Sequence, residues 1–206
     1  MRRDAVVAGL AVALAAAAAC KNQPAPPPPP PPPPMAKPQA VTVTIRNHRP
    51  DPIWVSIPGP CSPLPAHLET KAGALVPLAD PAASCDDAAR GACPPPAVCP
   101  GPRALRIAGD GQVVVRWDGQ VVRPRTLART AGGCPAQCVD RGGPPPALYY
   151  LRGEAWSACS GDGCDCAEAT PGAGCAKPAA LTGPPDLKAS VPLDVPGELG
   201  VTLMFE

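Results

Sequence analysis

The sequence predicts an all-β protein: an antiparallel Ig-like β-sandwich braced by disulfides, with little helix after its N-terminal segment. Short runs rich in β-branched residues recur along the chain, and turn residues separate them. Eleven cysteines are spread over the 206 residues. After the N-terminal segment, no stretch repeats apolar residues with the 3.6-residue period of an amphipathic helix. Together these observations are typical of two packed sheets.

The first predicted strands come directly after a proline-rich segment. Residues 41–45 and 53–57 alternate β-branched with polar side chains, as half-buried strands do. Residues 61–102 are rich in Pro, Ala and Cys, and we expect a disulfide-pinned excursion with one short strand at residues 74–78.

The strands that follow are separated by Asp-Gly turns. Asp110-Gly111 and Asp118-Gly119 stand between β-rich runs, and glycine accepts the positive φ of tight hairpin turns. We therefore expect three strands in a meander, at residues 103–108, 112–117 and 120–123. Three further strands are expected at residues 147–152, 188–193 and 200–205.

The cysteines of this domain are expected to form disulfides. Cys20 belongs to the N-terminal segment, and the other ten are Cys61, Cys85, Cys93, Cys99, Cys134, Cys138, Cys159, Cys164, Cys166 and Cys175. An even number of cysteines in an exported chain indicates a disulfide framework, here of five bridges. The short spacings from Cys93 to Cys99 and from Cys134 to Cys138 favour local pairs without fixing the connectivity. A zinc site is the competing interpretation, but His48 and His67 lie far from the cysteine clusters in sequence.

The N-terminal residues have the layout of a bacterial export signal. Arg2 and Arg3 precede an apolar run at residues 5–19, and small residues lead into Cys20. This arrangement resembles lipoprotein signal peptides, and the resemblance implies cleavage before Cys20 and acylation of that cysteine. An uncleaved anchor is disfavoured because a helix needs roughly 20 residues to cross a bilayer. A plain secretory signal is the other alternative.

The chain is thus expected to have three parts: a signal peptide at residues 1–19, a lipid-anchored proline-rich linker at 20–40, and a disulfide-rich β domain at 41–206. Residues 26–34 are nine consecutive prolines. Proline fixes φ and removes the backbone donor, so this tract is expected to be an extended polyproline helix about 28 Å long. It is expected to be a spacer, with docking to a proline-binding domain as the alternative.

Short motifs over residues 105–206 resemble those of bacterial β-domains. Trp117-Asp118-Gly119, the Leu148-Tyr149-Tyr150 strand and the cysteine-rich loops are similar to those of an uncharacterised family of cysteine-rich envelope lipoproteins from large-genome Gram-negative bacteria. The strand order resembles proteinase-inhibitor-like β-domains. The resemblance implies a sandwich and no particular activity. Among lipoproteins, Lys21 in place of an aspartate after the acylated cysteine implies the outer membrane.

The sequence carries few signs of catalysis. Gly-x-Ser-x-Gly, His-Glu-x-x-His and phosphate-loop motifs are absent. His67, with Glu69 two residues on, is a candidate general base, but no nucleophile stands beside it and a solvated loop histidine is the simpler interpretation. Asp162, Asp165 and Glu168 are candidate calcium ligands without EF-hand spacing, and solvated turn carboxylates explain them better. We therefore expect no catalytic residue, metal or cofactor.

The tryptophans and the charges have simple expected roles. Trp54, Trp117 and Trp156 are expected in the core or over disulfides, and the lining of a ligand groove is the alternative. From 18 basic and 17 acidic residues, loss of the N-terminal segment leaves 16 of each, which argues against nucleic acid as a partner. The local basic run that best suits an acidic partner consists of Arg116, Arg123, Arg125 and Arg129.

We expect a non-enzymatic, lipid-anchored cell-envelope protein that presents its β domain for binding or structural purposes. The expected partners are the membrane, through the lipid anchor, and an envelope protein or cell-wall component. An inhibitor of a secreted protease and an envelope hydrolase with an unrecognised site are the alternatives.

Overall fold

The structure is a computed structural model that describes residues 34–56, 63–95, 104–161, 164, 181 and 183–206. The chain divides into two compact units, residues 1–34 and 35–206, and the described residues belong to the second unit apart from Pro34. Predictions for the signal peptide, Cys20 and residues 26–33 lie outside the described residues. So do those for Cys61, Cys99, Cys166, Cys175, Asp162, Asp165 and Glu168.

The described part of the chain contains eleven strands and one short helix. They are β1 (Val41–Asn47), β2 (Ile53–Ser56), β3 (Ala66–Thr70), β4 (Leu75–Val76), α1 (Cys85–Arg90), β5 (Ala104–Ile107), β6 (Gln112–Trp117), β7 (Val121–Thr126), β8 (Gln137–Gly142), β9 (Ala147–Ala155), β10 (Leu187–Val195) and β11 (Gly200–Phe205). The predicted all-β class with disulfide bracing is confirmed. Every strand predicted after residue 40 has a counterpart, and β4 is the short strand expected near residue 75.

The strands form two main sheets and two pairs. One sheet has the order β11-β1-β6, and the other has the order β10-β9-β3-β4. The pair β2-β5 joins the second sheet where Trp54 and Trp156 exchange two backbone hydrogen bonds of 2.9 Å. The pair β7-β8 forms a separate ribbon.

The two main sheets pack face to face. Buried and exposed residues alternate along β1, β6, β9 and β11, as expected when one side of each strand faces a core. A Cβ on Gly153 of β9 would lie 3.1 Å from side-chain atoms of Leu203 and Phe205 on β11. Glycine therefore lets the sheets approach closely at this point. Both sheets contribute to a single hydrophobic core, whose largest fully buried side chains include Trp117, Phe205, Ile45, Ile53, Leu68, Leu151 and Leu193.

One pairing differs from the predicted antiparallel arrangement. β1 and β11 run parallel, with Val43 opposite Val201 and Ile45 opposite Leu203. The other strand pairs of these sheets and ribbons are antiparallel. The first and last described strands thus lie side by side in the same direction, which the local sequence pattern does not encode.

The predicted meander over residues 103–123 is wrong. β5 pairs with β2, β6 pairs with β1 and β7 pairs with β8, so the three successive strands belong to three different strand groups. The chain does turn at Asp110, which has a positive φ of 56°. However, a Cβ on Gly109 would lie 2.0 Å from the carbonyl oxygen of Pro50, so a second backbone segment occupies this turn. The turn therefore connects β5, which is paired with β2, to β6, which is paired with β1 in another sheet.

Asn47 holds this crossing in place. It is the fully buried polar residue at the end of β1. Its Nδ2 donates to the carbonyl oxygens of Asp51 at 2.8 Å and Ala108 at 3.0 Å, and its Oδ1 accepts from the Arg49 N–H at 3.1 Å. Its backbone N–H donates to Gly111 O at 2.9 Å. One side chain thus connects the β1–β2 turn to the β5–β6 turn.

Helix α1 was not expected from the sequence, although its capping residues are recognisable. Ser84 is the N-cap and accepts a hydrogen bond from the Asp87 N–H, and Gly91 ends the helix in the left-handed region. The Ser84 hydroxyl also donates to the Asp87 carboxylate at 2.6 Å. That bond and the Arg90 guanidinium lower the pKa of Asp87. A helix of only 6 residues has too few turns to show a 3.6-residue pattern.

Two long-range disulfides link the segment that contains α1 to the segment that contains β8, a strand that was also not predicted. Cys85 pairs with Cys138 and Cys93 pairs with Cys134, across sequence separations of 53 and 41 residues. The prediction of local pairs from the spacings Cys93 to Cys99 and Cys134 to Cys138 is therefore wrong. Around the bridges lies a second small core of Cys85, Ala88, Cys134 and Cys138, in which sulfur atoms take the place of large apolar side chains.

Tyr149 anchors the start of β9. Its hydroxyl donates to the Pro145 carbonyl oxygen at 2.8 Å, and burial raises the pKa of Tyr149. A tyrosine that bonds back to the backbone a few residues upstream stabilises strand corners in Ig-type sandwiches.

Candidate functional site: a polar groove on the outer face of a sheet

A group of charged side chains from three strands lies on the outer face of the β10-β9-β3 sheet. Residues of one strand alternate between the two faces. Because Leu68 and Leu151 are buried in the core, the residues next to them in sequence point outward. The outward side chains are His67 and Glu69 on β3, Arg152 and Glu154 on β9, and Lys188 and Ser190 on β10.

Strand register sets which of these side chains are neighbours. Arg152 pairs with His67 on one side and with Ser190 on the other. Glu154 pairs with Lys188. Directly opposite side chains have Cβ atoms about 5 Å apart, so each of these pairs lies within reach of a single bound group.

Two adjoining cavities open on this face. The larger, of about 340 Å³, is lined by His67, Glu69, Arg152, Gly153, Glu154, Lys188, Ala189 and Ser190. The smaller, of about 190 Å³, is lined by Ser56, Leu64, Pro65, Ala66, His67, Glu154 and Trp156. His67 and Glu154 line both cavities, so the cavities adjoin, and we call the two together the His67 groove.

Glu69 organises the larger cavity. Its carboxylate accepts from Arg152 Nε and lies 3.4 Å from His67 Nε2. The Glu69 side chain is only 15% exposed, whereas those of His67 and Arg152 are 37% and 48% exposed. Such partly exposed ion pairs contribute about 1 kcal/mol or less to stability. Their main effect here is to hold a guanidinium and an imidazole in fixed positions at the mouth of the groove.

His67 does not lie in a loop as the sequence suggested. It lies on β3, and its observed partner is Glu69. Ser190, a hydroxyl in the same cavity, is two strands away, which corresponds to about 10 Å, and Arg152 stands between them. Ser190 and His67 are therefore too far apart for a direct hydrogen bond between nucleophile and base.

Trp156 lies at the other end of the groove and is held from two sides. Its backbone pairs with Trp54, and its Nε1 donates to Gly183 O at 3.0 Å. Trp54 in turn donates from Nε1 to Cys164 O at 2.8 Å and packs against the cluster that contains the Cys159–Cys164 disulfide. The expected cover of a disulfide is confirmed for Trp54, and the expected core position is confirmed for Trp117, which is 1% exposed.

A third cavity, of about 190 Å³, has a lining that shares no residue with the His67 groove. It is lined mainly by apolar groups of Trp117, Pro144, Pro146, Val195 and Pro196, with Lys37 and Glu198 also contributing. Residues 35–40, expected to belong to the linker, form part of this region, because Ala36 and Gly143 exchange backbone hydrogen bonds of 3.2 and 2.7 Å.

The basic run indicated by the sequence is partly neutralised. Arg123 and Arg125 on β7 lie 3.4 and 3.2 Å from the carboxylate of Asp140 on β8. Arg116 lies on β6, in another sheet. The four arginines therefore do not belong to one sheet.

Sequence reasoning singled out His67 and Glu69, and named Trp156 as an alternative groove residue, but it did not find the rest of the groove. Arg152, Lys188 and Ser190 lie on strands that were predicted, at alternating positions that signal an exposed face. Their proximity to His67 depends on the strand order β10-β9-β3, which the sequence pattern does not contain.

The described residues contain neither a candidate metal site nor a membrane-spanning helix. No group of three or more His, Cys, Asp or Glu side chains there is placed to hold a metal ion. The described part of the chain also has no helix with the length and apolar character needed to cross a membrane.

Comparison with protein-family models, with characterised proteins and with solved structures found no match for this chain.

Proposed function

We propose that this chain is a non-enzymatic, lipid-anchored protein of the cell envelope, in the outer membrane, that presents its disulfide-stabilised β domain to an envelope protein or a cell-wall component. The observation that carries the proposal is the pair of long-range disulfides, Cys85–Cys138 and Cys93–Cys134, between the segments that contain α1 and β8. Structural disulfides form and persist in oxidising compartments such as the bacterial periplasm. This supports the export inferred from the sequence, and the acylation of Cys20 rests on the resemblance of residues 1–20 to lipoprotein signal peptides.

The binding role is supported by the His67 groove. Its side chains stand on β3, β9 and β10, which are hydrogen-bonded to one another along their length. Charged groups fixed on strands lose little conformational entropy when a ligand binds, because they are already held in place. A preformed, charged groove on a rigid sheet therefore suits recognition.

The anchor is tested by replacing Cys20 with serine. We expect Cys20→Ser to prevent lipid attachment, so that the protein is released from membranes or accumulates as uncut precursor. Membrane fractionation with an immunoblot for precursor and mature chains measures this. Asn22→Ala is the matched control and should leave the protein membrane-bound. Cys20→Ser protein that is still processed and membrane-bound would refute the lipid anchor.

A further inference from the structure

We propose that the His67 groove binds a neutral, hydroxyl-rich saccharide, with one sugar ring stacked on Trp156 and hydroxyl groups bonded to Glu154, Arg152 and Lys188. This inference rests on the binding role proposed above and specifies its ligand.

The charge balance of the groove favours a neutral ligand. Arg152 and Lys188 supply two positive charges, and Glu69 and Glu154 supply two negative charges. Cations and carboxylates are neighbours in this arrangement, since Lys188 pairs with Glu154 and Glu69 bonds to Arg152. A ligand with a strong net charge of either sign would be repelled by two of these four charged groups. Hydroxyl groups both donate and accept hydrogen bonds, so a polyol matches an alternating set of donors and acceptors.

Trp156 supplies an apolar surface at one end. Its indole lines the smaller cavity together with Leu64 and Pro65, and its Nε1–H is already used by Gly183 O. The ring therefore offers apolar contact area in a fixed orientation. The flat, C–H-rich side of a sugar ring packs on such a surface while its hydroxyls remain at the ring edge.

The spacing along β9 sets the length of the ligand. Arg152 and Trp156 are four residues apart on an extended chain, which corresponds to about 13 Å. One sugar ring cannot reach both, so the groove requires an oligosaccharide of several linked rings.

The position of the groove disfavours an extended peptide. Peptides that bind sheets add to a free strand edge and use its main-chain hydrogen bonds. The groove instead lies over β9, which is paired with β10 on one side and with β3 on the other. The face therefore offers side-chain groups for recognition.

The test uses the full-length oxidised protein in detergent and neutral tetrasaccharides of glucose, mannose or N-acetylglucosamine as probes. Tryptophan fluorescence and calorimetry measure binding. At least one tetrasaccharide should bind, with an affinity nearly independent of salt between about 0.05 and about 0.5 M. Glu154→Gln should weaken binding about tenfold, because a carboxylate acceptor is lost. Glu198→Gln, a carboxylate outside the groove, should leave the affinity unchanged.

Trp156→Leu provides a second test, with melting temperature as the check on folding. A folded variant should lose measurable binding and the ligand-induced fluorescence change. Failure of every tetrasaccharide to bind would overturn the proposal, as would binding that is unaffected by Glu154→Gln. Salt-dependent binding of an acidic peptide in place of the saccharides would also overturn it. The intact mass of the same preparation separates the two proposals: a lipidated protein that binds none of the saccharides contradicts only the ligand, whereas an unlipidated protein contradicts the envelope role.

Discussion

Removal of the Cys85–Cys138 disulfide, by replacing both cysteines with alanine, is expected to lower the free energy of unfolding by about 4 kcal/mol. The bridge spans 53 residues, but the Cys93–Cys134 bridge lies inside that span and shortens the loop that Cys85–Cys138 closes to about 13 residues. Closing a loop of this length removes about 10 cal/mol/K of entropy from the unfolded chain, or about 3 kcal/mol, and the lost packing of the buried sulfur atoms adds about 1 kcal/mol. These sulfur atoms are part of the small core between α1 and β8, which contains no large apolar side chain among its buried members. A domain with a total stability of about 5–15 kcal/mol would lose a large share of it.

The matched control removes the Cys159–Cys164 bridge in the same way. It spans only 5 residues, so the same entropy argument gives about 2 kcal/mol. Both pairs of substitutions are compared by guanidinium denaturation without reductant. No loss for Cys85→Ala/Cys138→Ala would show that this bridge does not stabilise the fold, and equal losses for the two pairs would contradict the predicted difference between the two bridges.

The second large effect is expected at Asn47. Asn47→Leu keeps the side chain's size but removes the hydrogen bonds to Asp51 O and Ala108 O and leaves the Arg49 N–H without its acceptor. Unpaired buried polar groups cost about 1–3 kcal/mol each when water cannot reach them. Because the groups that Asn47 bonds are only partly buried, water can reach some of them in the variant. We therefore expect the free energy of unfolding to fall by about 3 kcal/mol in total.

Thermal and denaturant unfolding of Asn47→Leu measure this loss. Gln112→Leu is the control, because Gln112 is an exposed residue of β6 next to the same crossing, and its replacement should change stability by no more than about 0.5 kcal/mol. Equal stabilities of the two variants would mean that Asn47 does not hold the β1–β2 and β5–β6 turns together.

The positions of most strands could be predicted because alternation of side chains is a local property. β11 begins and ends at the predicted residues, and β6 does as well. β3 and β8 were missed because they carry few β-branched residues: β3 has one buried leucine, Leu68, and β8 is fixed by Cys138. These two strands are stabilised by their neighbours rather than by their own sequence.

Strand pairing could not be predicted, and the groove depends on it. The Asp-Gly turn at residue 110 was correctly identified as a turn, but the local pattern does not distinguish a hairpin from a crossing between strand pairs. For the same reason, Arg152 and Lys188 could not be placed beside His67, because these residues are far apart in sequence and meet only through the order β10-β9-β3. The disulfide partners of Cys85 and Cys93 were unpredictable for this reason too.

The measurement that tests the account most directly is the intact mass of the membrane-extracted protein, with thiol alkylation before and after reduction. We predict the mass of a chain that begins at Cys20 and carries lipid, with no thiol alkylated until the disulfides are reduced and ten alkylated afterwards. A chain without lipid, or free thiols at Cys85, Cys93, Cys134 or Cys138 in the native protein, would contradict an anchored, disulfide-braced envelope domain.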